Sequence, residues 1–279
     1  MYTIRINYHV IFFTRGNTGP DESKICNIQH KRDNRLGHPG MITYRHEETV
    51  KSQTEKENYM SNLIVMLTKK DVTVPDALEI FESCRDMPVT YWGIQDHGLV
   101  PAAMKQFVDV LKAAGKIACL EAVSFTEEAC MRSAQLAVEC DFDYLFGTLY
   151  YDAVFEYLKV SGKRYCPYVG NITGNPRILR GTVKEMLEQE RIISEKRIFG
   201  TDLSGYRYKG GNKLKLCETY IKNAQNPVCL SGGIDSDEKI KAVKKMDPWA
   251  FTIGTALFTR KFRQNGDFRE NLEHVIELM

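Results

Sequence analysis

The chain lacks several signals that would assign it quickly. It has no C-x-x-C pair, and no His/Cys cluster falls at zinc-ligand spacing. No apolar run approaches the roughly 18 residues that a bilayer span needs. The opening MYTIRINYHVIFFTR carries a short apolar patch, but no basic segment leading into a long apolar one and a small-residue cleavage site, which argues against a signal peptide. An excess of one charge is missing too. The 38 Lys and Arg and 36 Asp and Glu leave a net charge of +2, which gives no reason to expect nucleic acid or an anionic membrane as partner. The eight cysteines lie mostly inside apolar runs and read as reduced core thiols of a cytoplasmic protein.

What is present divides near Met60. Residues 1–59 hold four of the six histidines (His9, His30, His38 and His46), and from Gly16 to Asn58 there is no sustained apolar period. Such a stretch buries too little surface to offset its ordering entropy, so it reads as a disordered extension, with a metal-binding or targeting tail as the other reading. A third expectation concerns translation. Lys56-Glu57-Asn58-Tyr59-Met60 can be encoded with a purine-rich ribosome-binding string ahead of an ATG, so residues 1–59 read as leader and Met60 as the start.

From Met60 the pattern is regular. Short β-branched or apolar runs alternate with segments of helical period, the signature of a parallel sheet with crossover helices. Strands are expected at 63–67, 89–94, 117–123, 144–149, 164–169, 197–203, 228–230 and 250–253. Helices are expected over 75–84, 101–114, from Thr126, and over 153–160, 178–191, 214–224, 237–246 and 268–278. Eight β-α units in about 220 residues predict an α/β fold, a (β/α)₈ TIM barrel. An open doubly wound sheet would carry a glycine-rich loop after its first strand, and Thr68-Lys69-Lys70-Asp71 contains no glycine.

The sharpest motifs close the chain. Ser231-Gly232-Gly233-Ile234-Asp235-Ser236 follows the seventh strand and Gly254-Thr255-Ala256-Leu257-Phe258 the eighth. Loops in these positions bind phosphate in many barrels, because glycine admits an anion close to backbone N–H groups at a helix start. Ser231, Gly232, Gly233, Gly254 and Thr255 are therefore the expected phosphate ligands, and a small phosphorylated molecule the expected partner. VCLSGGIDSDEKIKAVKKMDPWAFTIGTALFTRKF resembles the last quarter of the ribulose-phosphate-binding barrels, above all the phosphoribosyl isomerase of histidine biosynthesis and its cyclase relative. IFGTDLSGYRYKG is similar to the strand-six segment of that family. VMLTKKDVTVPDALEIF looks loosely like the sugar-phosphate decarboxylase and hexulose-phosphate synthase branch. The resemblance implies a phosphate grip and places Thr201 along the site. It does not carry over the isomerase's aspartate pair: Leu67, Thr68 and Lys69 stand where the first is expected, and Ser204-Gly205-Tyr206 where the second is.

Catalytic groups in this fold come from strand C-terminal ends. Asp202 ends strand six. Glu121 lies within strand three, where a buried acid calls for a partner or a function. Asp96 and His97 follow strand two, Lys69 strand one, and Asn171 strand five, as a substrate contact beside Thr173. Arg207 and Lys209 are placed to help neutralise phosphate. No cofactor is firmly implied, although Asp96, Glu121 and Asp202 are a possible Mg²⁺ set. These residues point to proton abstraction beside a carbonyl with an enediolate intermediate, as in an isomerase, an epimerase or an aldolase-type lyase. The alternative is a non-catalytic barrel that binds a phosphorylated metabolite and regulates a partner. A homo-oligomer is compatible with either.

Overall fold

The computed structural model describes residues 61–174 and 176–279. The extension over 1–59 and the start at Met60 lie outside the described residues. Eight parallel strands form one sheet: β1 (Asn62–Met66), β2 (Tyr91–Gln95), β3 (Ile117–Ala122), β4 (Tyr144–Gly147), β5 (Arg164–Cys166), β6 (Thr201–Leu203), β7 (Val228–Leu230) and β8 (Ala250–Ile253). Their order in space is β6-β7-β8-β1-β2-β3-β4-β5. The remaining seam closes by a parallel bridge between Tyr168 and Asp202, with the Asp202 N–H donating to Pro167 O at 2.8 Å. Pro167 has no N–H to offer there, which thins the ladder where β5 meets β6. The expected (β/α)₈ barrel is the observed fold.

Period-two alternation sorts the side chains. Leu63, Val65 and Leu67 pack outward with Ala77 and Phe81, whereas Ile64 and Met66 turn inward to Cys119, Phe146 and Cys166. Where the strands begin, the barrel is plugged by aromatic rings. Tyr144 and Trp249 stack at 5.4 Å between centroids, Phe199 meets Trp249 edge-on at 4.9 Å, and the Arg164 guanidinium lies 5.1 Å from the Tyr144 ring. The opposite, C-terminal end stays polar. The seven cysteines within the described residues are buried and unpaired. Among those residues no helix is long and apolar enough to cross a membrane.

The outer helices are α1 (Ala77–Cys84), α2 (Pro101–Ala113), α3 (Glu127–Glu139), α4 (Asp152–Val160), α5 (Val183–Ser194), α6 (Lys213–Asn223), α7 (Asp237–Met246), the short α8 (Thr255–Phe258) and α9 (Phe268–Leu278). Pro101 takes the first position of α2, as its missing N–H allows. Two segments depart from expectation. The helix expected over 178–191 is divided: Asn171–Thr173 pairs antiparallel with Ile178–Arg180, and α5 starts only after Thr182, whose side chain forms a reciprocal capping box with Glu185. After β1, where only a loop was expected, Thr68–Lys69 pairs antiparallel with Val72–Thr73. Lys70 and Asp71 make that turn, both left-handed at φ 55° and 58°, the mirror-image geometry that two-residue hairpins prefer.

Candidate active site at the barrel mouth

A cavity of about 570 Å³ opens at the C-terminal end of the strands. The loops after β7 and β8 form one wall. Gly232 and Gly233 have φ of 71° and 79°, a backbone shape that other residues adopt only with strain. A Cβ on Gly232 would lie 2.7 Å from Arg207 Nε, and one on Gly254 would lie 2.7 Å from Thr68 Oγ1. Glycine at these positions thus lets neighbouring groups close onto the backbone. The N–H groups of Gly233, Ile234, Thr255 and Ala256, all in the cavity wall, find no acceptor among the described residues. Lys239 braces the first loop through Gly233 O at 2.7 Å and Asp235 Oδ1 at 2.6 Å. Unspent donors around an open space suit a phosphoryl group.

The other wall is built from charged side chains. Arg177 reaches in from the hairpin after β5 with its side chain 2% exposed. It donates to Glu121 and to the Tyr168 hydroxyl, and its Nη2 lies 3.8 Å from Asp71 Oδ1. Gln95 Nε2 donates to the second Glu121 oxygen at 2.9 Å. Arg207, from the 3₁₀ turn after β6, donates to Asp71 at 3.2 Å. The Nε atoms of both arginines are buried without an acceptor.

Burial alone would push the Glu121 pKa up. The Arg177 charge and its hydrogen bond, with that of Gln95, outweigh burial and hold the carboxyl below its usual range. Asp202 behaves in the opposite way. It is fully buried, and neither oxygen has a partner in hydrogen-bond geometry. Burial first and the nearby Glu121 charge second push its pKa up to about 7, with Arg177, and after it the Ser231 hydroxyl and the Gly147 N–H, opposing. Two carboxylates share one interior with separated proton affinities, an arrangement suited to proton transfer.

The mouth gathers some of the expected residues and not others. Gly232, Gly233, Gly254, Thr255 and Glu121 line the cavity. Asp202 and Ser231 do not: Asp202 lies in the buried interior, and the Ser231 hydroxyl faces Ser204 at 3.2 Å. Thr201 points outward and bonds the Tyr220 hydroxyl at 3.0 Å, because alternation along β6 turns it to α6 while Asp202 turns in. Asp96 and His97 bond one another in a separate cleft, where Ser133 donates to Asp96 at 3.1 Å. Lys69 lies beside Val74 and Phe258, and Asn171 beside Tyr150 and Gln189, each in its own surface depression. Asp96, Glu121 and Asp202 do not converge, and among the described residues no three His, Cys, Asp or Glu form a metal-sized group.

Asp71, Lys70, Arg177 and Lys261 are charged mouth residues that the sequence reading missed. The capping-box spacing of Thr182-Val183-Lys184-Glu185 signals that the helix starts later than 178, leaving Ile178–Arg180 free to pair with Asn171–Thr173 in the hairpin that carries Arg177. For Asp71 there was no signal, since the hairpin turn has no glycine.

No protein-family model matches the sequence, and no curated protein does. Solved structures match the fold. Orotidine 5'-phosphate decarboxylase from Pyrococcus horikoshii OT3 aligns with a TM-score of 0.56 at 12% identity, over 77% of this chain and 98% of that one. The tryptophan synthase alpha chain from Legionella pneumophila subsp. pneumophila gives 0.56 at 13%, over 79% and 92%. N-acetylmannosamine-6-phosphate 2-epimerase from Clostridium perfringens gives 0.53 at 14%, over 78% and 93%. At such identities the likeness shows the fold alone.

Proposed function

We propose that the chain is an enzyme acting on a small phosphorylated sugar or related metabolite, by proton transfer beside a carbonyl in the manner of an isomerase, an epimerase or an aldolase-type lyase. The observation that carries this reading is one cavity with unspent backbone donors on one wall and the Arg177–Glu121 pair on the other. The resemblance of residues 228–262 to the ribulose-phosphate-binding barrels supports it. So do the phosphorylated compounds in the names of the decarboxylase and the epimerase of like fold. In this reading the two loops hold phosphate, Glu121 faces the reacting carbon, and Arg177 stabilises the enediolate oxygen. Asp202, whose pKa lies near neutrality, stores the proton behind Glu121. Asp96, His97 and Lys69, placed outside the cavity, leave the electrophile's role to Arg177.

Two observations favour the non-catalytic alternative, a phosphometabolite-binding barrel that regulates a partner: Glu121 is tied to Arg177, and Asp202 does not line the cavity. A thermal-shift screen against phosphorylated sugars, with and without Mg²⁺, followed by turnover assays on the hits, separates the two. The enzyme reading expects a stabilising ligand that is converted, with kcat falling at least about 100-fold in Glu121→Gln. A ligand that stabilises but is never converted favours the regulatory barrel.

A further inference from the structure

Asp71 stands in an unusual place for a hairpin-tip aspartate. Its carboxylate lies between the two arginines of the mouth, 3.2 Å from Arg207 Nη2 and 3.8 Å from Arg177 Nη2, with the side chain 16% exposed. Both guanidiniums also approach the first glycine loop. A Cβ on Gly232 would be 2.7 Å from Arg207 Nε and 3.6 Å from Arg177 Nη2. A carboxylate thus sits beside the phosphate loop, on the cations that an incoming anion would use.

We propose that Arg177 and Arg207 form the cationic half of the anion seat, and that Asp71 is a resident carboxylate that a phosphoryl group displaces. This rests on the reading of the cavity as a phosphate site. Three observations argue for displacement rather than for a permanent brace. First, Asp71 accepts from none of the backbone N–H groups of Gly233, Ile234, Thr255 and Ala256, so those donors stay unspent while it occupies the arginines. A phosphoryl group has enough oxygens to engage the arginines and those N–H groups together, and its second charge strengthens each contact. Second, the hairpin is anchored at its base and lightly held at its tip. Thr73 exchanges 2.9 Å bonds with the backbone of Gln95, and its N–H donates to His97 O at 3.0 Å. Beyond Asp71 itself, the tip contributes the Lys70 N–H bond to Thr255 Oγ1 at 3.0 Å. Third, that bond ends on a residue of the phosphate wall, whose hydroxyl can accept from Lys70 and still donate to an anion, so the tip can stay seated while the Asp71 carboxylate gives up the arginines.

Calorimetric titration of the full chain with inorganic phosphate, at constant ionic strength, tests this. Asp71→Asn keeps the side chain's size and removes its charge, and is expected to bind phosphate about tenfold more tightly than wild type. Asp71→Glu, which keeps the charge, stays within about threefold of wild type, and the gain disappears when Arg207→Ala is combined with Asp71→Asn. If wild type binds phosphate and Asp71→Asn binds it equally or more weakly, Asp71 is a brace; the proposal is wrong while the phosphate site stands. If neither wild type nor Asp71→Asn binds phosphate, the phosphate reading falls and the proposal with it.

Discussion

The two walls of the barrel mouth solve opposite problems with opposite materials. The wall after β7 and β8 is made of backbone: glycines at positive φ and N–H groups left without partners. The other wall, from the hairpins after β1 and β5 and from β3, is made of charge: Asp71, Arg177 and Glu121, each paired with another charged side chain. A backbone wall leaves its donors free for an external anion and contributes little to the stability of the empty protein. A charged wall is complete without a ligand, so it contributes to stability and must rearrange to bind. The comparison therefore predicts that damage to the two walls has different symptoms.

The largest effect is expected at Arg177. Arg177→Met leaves Glu121 buried without its cation, a loss of about 3–5 kcal/mol on unfolding in denaturant. Adding Glu121→Gln should restore much of it, because no uncompensated charge remains. If Arg177→Met unfolds at the same denaturant concentration as wild type, the charged wall is not a structural unit and the contrast fails.

Legibility follows the same division. The glycine wall could be read from the chain because SGGI and GTALF announce their conformation in their residue types, and eight β-α periods announce the barrel that presents them. Pro101 and the end of the seventh strand likewise lie where local chemistry puts them. Of the charged wall, Glu121 and Arg207 were legible from their places after or within strands, but the pairing that joins them to Asp71 and Arg177 was hidden because it is long-range. Asp71 and Arg207 are far apart in sequence, and a Lys70-Asp71 turn carries no mark of its left-handed backbone. Arg177 precedes the expected helix and was passed over as connecting chain; the antiparallel pairing of Asn171–Thr173 with Ile178–Arg180 is what brings it to the mouth. Residue-type reasoning also named Asp202 and Thr201 together, although neighbours on a strand face opposite sides.

An intermediate effect, readable by pH, is expected at Asp202. Its pKa in the folded protein, about 7, lies above the roughly 3.9 of an unfolded aspartate. The folded state therefore binds the proton more tightly. That contribution is complete below the unfolded value and is lost as pH rises through the folded one. Asn resembles the protonated form. The melting temperature of Asp202→Asn relative to wild type should be at least about 3 °C higher at pH 8 than at pH 4.5. Glu121 titrates in the opposite sense, and because its charge raises Asp202 the difference between the two profiles reports the pair. Parallel melting profiles for the two proteins would mean that Asp202 is ionised and solvated, and that it stores no proton.

The smallest effect on stability, and the most informative about the backbone wall, is expected at Gly232. Alanine there takes a left-handed conformation at a cost of about 1–2 kcal/mol, partly offset because the unfolded chain is stiffer than with glycine. Its Cβ also pushes Arg207 Nε away from the loop, since the two would otherwise be 2.7 Å apart. The buried pair of Arg177 and Glu121 does not depend on that contact, so denaturant unfolding should shift only slightly. Phosphate affinity, in contrast, should fall at least about tenfold, because the arginine and the adjacent N–H groups no longer converge on one point. A variant with little loss of stability and lost anion binding contrasts with Arg177→Met alone, which is expected to lose both, so the two variants separate what holds the mouth together from what it holds. If Gly232→Ala binds phosphate as wild type does, the glycine is only a turn and its loop is not part of the grip.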